Sequence, residues 1–303
     1  MGNIKIHIPP FKTQGIKSKL VPLIKENVRI DNSTLWIEPF MGSGVVGLNV
    51  APRKAVFADL NPHIICFYNR LKSRELNSCM VAEYLHEQGA LLAERGGEHY
   101  YHVRDKFNTE HDPLDFLFLN RSCFNGMIRF NRHNEFNVPY GHKPRRFAKA
   151  YITKIVNQVR HFEKMLESND WIFLCQSFEK TIAMADENSF VYCDPPYIGR
   201  HVDYYDNWDE SREIALLKCL SKSGVRYMLS TWDFNRYRNN PYIDLIWGAC
   251  NKITQEHFYF VGAKETNRNM IMEALLTNYS TREEANDIAS EHTAYGQMSL
   301  VFD

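Results

Sequence analysis

The stretch Val191-Tyr192-Cys193-Asp194-Pro195-Pro196-Tyr197 decides how the rest of the chain is read. Phe190 to Cys193 is a short run of β-branched and aromatic residues, the composition of a buried strand. The two prolines that follow can continue neither a ladder nor a helix. The strand therefore ends in a carboxylate, a carbonyl without a ladder partner and an aromatic ring, gathered at its C-terminal edge. In an open α/β sheet that edge is where ligands bind.

Such a cluster suits the chemistry of an exocyclic amine on a nucleobase. That nitrogen is a poor nucleophile because its lone pair is delocalised into the ring. Two acceptors, the Asp194 carboxylate and the Pro195 carbonyl, can grip its two N–H bonds, draw it towards sp³ and localise the lone pair for attack on an electrophilic carbon. Tyr197 can stack on the base, a contact worth roughly 1–3 kcal/mol in nucleic-acid sites. No proton need leave first, so neither histidine nor metal is required. The bland alternative is a proline-rich turn that ends a strand and leaves Asp194 solvated.

Working outward, Leu35 to Phe40 reads as a strand, followed at once by Met41-Gly42-Ser43-Gly44-Val45-Val46-Gly47, whose glycines allow a tight turn and close backbone approach to a ligand. Lys54 to Asp59 is the next strand, and it ends in an acid placed where a dinucleotide-type fold holds ribose hydroxyls. The loop satisfies Gly-x-Gly-x-x-Gly, so an NAD-dependent dehydrogenase has to be weighed. The pattern cannot separate NAD from another adenosyl cofactor, but Asp194 to Tyr197 has no task in hydride transfer.

Ahead of these segments, Lys12 to Val28 reads as a glycine-containing loop running into a helix, with Lys17 and Lys19 at its start, where cations oppose the helix dipole. Asn61 to Lys72 is an amphipathic helix, and from Ser73 to about Leu166 the chain is mostly helical, which predicts a separate lobe. Within it, Asn120 to Gly141 suggests a β-hairpin, with Met127 and Arg129 on one side of Asn131 to Glu135 and Phe136 and Val138 on the other. Arginine and wedge-like apolar residues on a hairpin serve base readout and insertion into the stack. The sheet resumes at Trp171 to Cys175. A helix is expected over Glu210 to Ser223, a strand over Val225 to Leu229 with Ser230-Thr231-Trp232-Asp233 at its end, and a closing antiparallel pair over Glu256 to Val261 and Met270 to Leu276.

The chain has 303 residues, 44% hydrophobic and 13% aromatic, enough for one large α/β domain or one carrying an insertion. No apolar run is long enough to span a membrane and Met1 to Pro10 lacks a signal-peptide core, so a cytoplasmic protein is expected. The seven scattered cysteines form no Cys-x-x-Cys pair, and His99, His102 and the other histidines lack partners at metal spacing; reduced thiols and no metal are expected. Formal net charge is zero, yet Asn120 to Arg160 holds nine cations, Arg121, Arg129, Arg132, Lys143, Arg145, Arg146, Lys149, Lys154 and Arg160, against the single acid Glu135. That is a local basic surface of the kind nucleic acid requires. Glu283, Glu284, Asp287, Glu291 and Asp303 offset it.

The order of these segments resembles the Dam-related (D12 class, α-group) adenine-specific DNA methyltransferases over nearly the whole chain. The resemblance rests on Gln14-Gly-Ile-Lys17, Glu38-Pro-Phe-Met-Gly-Ser-Gly44, Asp59-Leu-Asn61, Leu119 to Arg129, Phe136-Asn-Val-Pro-Tyr-Gly141 and Asp194-Pro-Pro-Tyr197. It implies a Rossmann-like methyltransferase sheet, formed by residues 1–72 and 167–303, with an inserted, mostly helical target-recognition domain over 73–166 that carries the hairpin. It implies S-adenosyl-L-methionine as donor, held by Thr13, Gln14, Gly15, Lys17, Glu38, Pro39, Phe40, Gly42, Ser43, Gly44, Asp59, Asn61, Phe178 and Asp194. Asp194, Pro195, Pro196 and Tyr197 would hold an adenine flipped from double-stranded DNA. Lys12, Asn120, Arg121, Phe124, Asn125, Met127, Arg129, Asn137, Pro139 and Tyr140 would contact the duplex, with Arg129 in the place of a guanine-reading arginine. Pro9-Pro10, Gln14 to Lys17 and Tyr197-Ile-Gly-Arg-His-Val-Asp203 narrow the likeness to a branch that modifies GATATC, with GATC as second choice. A restriction endonuclease sharing the site without touching the enzyme, and a monomeric enzyme, are the implied partner and state.

Two departures stand out. Relatives usually have Trp-Ala-Gly-Gly-Lys where this chain has Thr13-Gln-Gly-Ile-Lys17, which removes an aromatic contact to the cofactor. They often have Asp-Phe where this chain has Ser177-Phe178, which puts the acid's hydrogen bond in doubt. Methylation of cytosine N4 or of an RNA base follows the same amine logic, and from another class a DNA-binding module without turnover remains a rival.

Overall fold

The computed structural model describes residues 5–198, 208–258 and 270–280. Among them seven strands form one sheet: β1 (Leu35–Glu38), β2 (Lys54–Asp59), β3 (Asp170–Cys175), β4 (Ser189–Cys193), β5 (Arg226–Asn235), β6 (Asn251–Phe258) and β7 (Met270–Thr277), in the order β3-β2-β1-β4-β5-β7-β6. The first five run parallel and β7 is antiparallel to both of its neighbours. From β1 the chain steps outward to β2 and β3, then returns to the other side of β1 as β4. The order therefore reverses between β1 and β4, and a crevice opens beyond their C-terminal ends. All five residues of β4 are buried, as its continuous apolar run requires.

The helices follow in chain order as α1 (Val21–Asn27), α2 (Val45–Val50), α3 (Pro62–Lys72), α4 (Ser78–Arg95), α5 (Gly97–Glu110), α6 (Pro113–Ser122), α7 (Lys149–Ser168), α8 (Phe178–Ile182), α9 (Glu210–Ser223) and α10 (Pro241–Trp247). Asn61 caps α3 by accepting from the His63 and Ile64 N–H groups. Helix α1 begins later than the sequence pattern suggests, with Pro22 in its first turn. Lys17 and Lys19 thus precede the helix, and the Lys17 carbonyl accepts from Leu20 and Val21 in the turn that leads into it.

The inserted helices share a continuous core with one face of the sheet. Phe11 packs on Phe67 and Phe116 at 4.7 and 5.1 Å between ring centroids, and Phe162 of α7 stacks on Tyr68 at 4.3 Å. The other face is covered by α8, α9 and α10 around Val191, Cys193, Leu216 and Trp247.

Three expectations change. The hairpin after α6 is an antiparallel arm held by two isolated bridges, Cys123 to Tyr140 and Phe130 to Phe136, and by Asn137 N–H donating to the Arg129 carbonyl; a 3-10 turn, Phe124–Gly126, interrupts its first limb. Gly126 at φ 68° and Asn125 at φ 55° explain why no ladder runs through that limb. Strand β5 continues to Asn235, because β7 pairs with it through Trp232, so Ser230 to Asp233 are strand residues rather than a loop. The closing pair is correct in kind, but β6 starts at Asn251; residues 259–261 of the expected strand, and the acids from Glu283 onward, lie outside the described residues. No helix among the described residues is long and apolar enough to cross a membrane, and no group of histidine, cysteine and acid among them could hold a metal.

Candidate active site

Asp194 follows the last residue of β4 and lies at the mouth of the crevice. Its Oδ1 is 2.9 Å from Lys17 Nζ and accepts from Ser230 Oγ at 2.9 Å. Ser230 is fully buried on β5 and itself accepts from the Tyr192 hydroxyl at 3.1 Å. Among the described residues Oδ2 has no hydrogen-bond partner, and the side chain keeps 24% of its surface exposed. One oxygen is thus fixed and the other is open to a donor. Burial pushes the carboxyl above its ordinary range, and the Lys17 ammonium opposes that shift. Lys17 is 5% exposed, donates to the Gly15 carbonyl at 3.0 Å and stands 4.9 Å from the centroid of the Tyr197 ring.

The glycine loop forms the floor. Gly42 and Gly44 have φ of 49° and 76°, and Asp59 secures the turn: Oδ2 accepts from Gly42 N–H and Oδ1 from Asn61 N–H, both at 2.8 Å. Burial raises the Asp59 carboxyl, against these hydrogen bonds. Beneath the loop Glu38 is 2% exposed and accepts from Trp36 Nε1 at 2.9 Å; burial pushes its carboxyl up to about 8. A Cβ on Gly47 would stand 2.1 Å from Phe57 and 2.8 Å from Glu38 Oε2, so only glycine lets α2 pass over them.

One side of the cavity is aromatic. Phe40 stacks on Phe178 at 5.5 Å, Trp208 meets both rings at 5.4 and 5.6 Å, and the Arg212 guanidinium lies 4.7 Å over Phe178 while pairing with Glu179 at 2.6 Å. Of the expected cofactor positions, Thr13, Gln14, Gly15, Lys17, Glu38, Pro39, Phe40, Gly42, Ser43, Asp59, Asn61, Phe178 and Asp194 line this single cavity; Gly44 is buried and does not. Pro196 lines it as well, whereas Pro195 is buried. Trp208 and Arg212, which no sequence pattern singles out, line it too, and Trp208 supplies an aromatic surface in a chain whose Thr13 lacks one.

The arm reaches the same cavity through Met127, Ile128 and Phe130. Phe124 is 50% exposed in the 3-10 turn of its first limb, and Asn125, Pro139 and the neighbouring Arg132, Lys143 and Arg145 are exposed too. Arg129 is held against Asn137, with Nε donating to Oδ1 at 2.7 Å and Nη2 to the carbonyl at 3.2 Å. Three expected duplex contacts need correction, because the fold buries them. Asn120 is fully buried, accepting from Lys12 N–H and donating to the carbonyls of Lys12 and Gly126. Arg121, 4% exposed, donates to Gln158 Oε1 at 2.5 Å and to the Tyr151 hydroxyl at 3.3 Å. Tyr140, 5% exposed, packs on Tyr100 at 5.3 Å. These three build the arm; they offer the duplex no side chain in this conformation.

Among the residues the sequence did not mark, Ser230 and Glu273 adjoin Asp194 and Tyr197, Glu273 accepting from the Tyr197 hydroxyl at 2.9 Å. A signal for Glu273 existed: it is the one acid in the apolar run Met270-Ile-Met-Glu-Ala-Leu-Leu276.

Comparison with known proteins identifies the family. The DNA adenine methylase of Haemophilus influenzae is 36% identical over 200 residues, 63% of this chain and 64% of that protein. The Escherichia coli K12 DNA adenine methylase is 37% identical over 191 residues, 62% and 64%. The chain thus spans somewhat less than two thirds of these relatives' length. The type II methyltransferase M.FokI of Planomicrobium okeanokoites is 29% identical over 288 residues, 89% of this chain and 43% of that protein. The model of the D12 class N6 adenine-specific DNA methyltransferases matches residues 14–261, and the chain belongs to that family.

Proposed function

We propose that this chain transfers a methyl group from S-adenosyl-L-methionine to N6 of an adenine flipped out of double-stranded DNA. The observation that carries the reading is Asp194, with one oxygen fixed by Lys17 and Ser230 and the other open at the mouth of the crevice. Oδ2 and the Pro195 carbonyl are the two acceptors for the N6 hydrogens, and Tyr197 is the stacking surface. The Lys17 ammonium opposes the upward shift that burial imposes on Asp194, and the carboxylate grips the amine without first taking its proton; once N6 carries the methyl group, the proton it sheds passes to Asp194 Oδ2.

The residues present fit the cofactor. The loop residues Gly42 and Ser43, Asp59 behind them, the aromatic side formed by Phe40, Phe178 and Trp208, and the acid Glu38 lie in one cavity with Asp194. When bound there the cofactor supplies a methyl group on a positively charged sulfur. Phe124 and Met127 on the arm are the wedge that holds the duplex open, with Pro139 bracing it, and Arg129 reads a base pair. Lys12 reaches an outer pair. We assign GATATC as the target and the modification half of a cytoplasmic restriction-modification system as the role, with the enzyme a monomer and its endonuclease sharing the site without contact. The narrower likeness that supports GATATC rests partly on residues 199–203, outside those described.

The experiment is transfer of labelled methyl to unmethylated duplexes containing GATATC, GATC or neither, followed by nucleoside digestion. Label in N6-methyladenine from the GATATC duplex alone is the expected result. Label from the GATC duplex as well shortens the site, label in N4-methylcytosine overturns the base assignment, and no transfer to any duplex with the cofactor bound favours a binding module without turnover.

A further inference from the structure

Glu273 is 1% exposed in the middle of β7, paired in register with Trp232 of β5 and Gln255 of β6. A carboxylate in such a place is tolerated only when hydrogen bonds replace its lost water. Its Oε2 accepts from the Tyr197 hydroxyl at 2.9 Å, and the Lys17 ammonium stands 4.9 Å from the Tyr197 ring centroid. The Tyr197 ring is therefore tethered at its far end by Glu273, while Lys17 lies against the ring. Tyr197 follows two prolines on a loop, not on a strand or helix, so the backbone alone does not fix its χ angles. An untethered phenol on a loop populates several rotamers, only one of which faces a base beside Asp194.

We propose that Glu273 is a positioning residue for methyl transfer: its carboxylate holds the Tyr197 ring in the single orientation that stacks on the extruded base. This rests on the reading of Tyr197 as the base-stacking residue. Glu273 touches neither substrate nor cofactor in this scheme and acts on the reaction through the hydroxyl of Tyr197. Its place one strand beyond Ser230, which steadies Asp194, means that β5 and β7 together set both the acceptor and the stacking surface.

The test is a double-mutant cycle on the full chain, read by single-turnover methyl transfer and by the fluorescence of 2-aminopurine at the target position. Tyr197→Phe and Glu273→Ala should each slow transfer by about ten-fold, the scale of one buried hydrogen bond, with cofactor affinity and KM for DNA little changed. Both should alter the fluorescence of the extruded base. The double variant should be no slower than either single one, and Glu273→Gln, which keeps an acceptor, should recover most of what alanine loses. Should Glu273→Ala fail to fold, Tyr197→Phe leaves β7 intact and tests the same bond; full activity in that variant overturns the proposal. Multiplicative losses in the cycle, or losses that follow melting temperature or cofactor affinity, also overturn it and leave the proposed function standing. Wild-type protein that methylates no duplex removes the function and this inference together.

Discussion

Glu38→Gln is the substitution for which the structure gives the clearest magnitude. Glu38 is 2% exposed beneath the glycine loop, and burial lifts its carboxyl to about 8 from an ordinary 4.5. The folded state holds the proton at pH values where the unfolded chain has released it. The stabilisation is therefore fully present below pH 4.5, and it is lost as pH rises through about 8. At roughly 1.4 kcal/mol per pH unit, Glu38 should remove about 3–4 kcal/mol of stability between pH 5 and pH 8. Glutamine cannot titrate, yet its amide oxygen can still accept from Trp36 Nε1. Urea denaturation of both proteins at pH 5, 6.5 and 8 should show the difference in ΔG between wild type and variant moving by about that amount, in favour of the variant as pH rises. Parallel stability curves, with both proteins losing the same amount over this range, would refute the assignment of a protonated carboxyl at Glu38.

Removing the acceptor should be most damaging to turnover: Asp194→Ala is expected to lose about 10²–10³ in single-turnover rate, and near-normal transfer would contradict its role. Lys17→Met leaves only the Ser230 hydrogen bond to oppose the burial of Asp194, so the carboxyl rises further and the acid limb of the pH–rate profile should move to higher pH; an unmoved limb would show that the pair does not tune Asp194. Asn120→Ala deletes hydrogen bonds to Lys12 and Gly126, and chemical denaturation should register a loss of about 1–3 kcal/mol. Arg129→Ala should relax discrimination at one base pair by about 1–3 kcal/mol in competition between duplexes altered singly; unchanged preference at every pair would remove it from base readout.

What the sequence discloses about this site is what depends on neighbours along the chain. Two prolines after Phe190 to Cys193 must end a strand whatever surrounds it, and the φ values of Gly42 and Gly44 follow from the turn that joins β1 to α2. The helix over Asn61 to Lys72 was visible because its cap and first proline are local. Ser230, Glu273, Trp208 and Arg212 were not visible as site residues, since each reaches the cavity only through strand register or packing between segments distant in sequence. The misplaced duplex contacts have a related cause. Asn120, Arg121 and Tyr140 have the polar character of binding residues, but the arm has few ladder hydrogen bonds and uses these side chains to hold its limbs together. Polar residues in an irregular, partly buried segment serve its backbone first.

The arm and the Asp194 carboxylate are linked through a short piece of chain. Asn120, at the root of the arm, bonds both the N–H and the carbonyl of Lys12, and five residues later Lys17 pairs with Asp194. Between them lies Gly15 at φ 73°, whose carbonyl accepts from Lys17 Nζ, so the turn that aims the lysine is closed by the lysine itself. The Lys12 side chain also fills the space beside Gly126, where an added Cβ would stand 2.5 Å from it. Movement of the arm on a duplex therefore cannot leave Lys12 where it is, and a displaced Lys12 must shift the segment that carries Lys17. On the proposed function, a duplex that seats the arm correctly would hold the Lys17–Asp194 pair in register, and one that does not would disturb Asp194. Such coupling through packed and hydrogen-bonded segments requires an energetic test. Combining Asn120→Ala with single base-pair changes provides it: in wild type a wrong pair should lower the rate of transfer as well as affinity, and in the variant the two losses should separate.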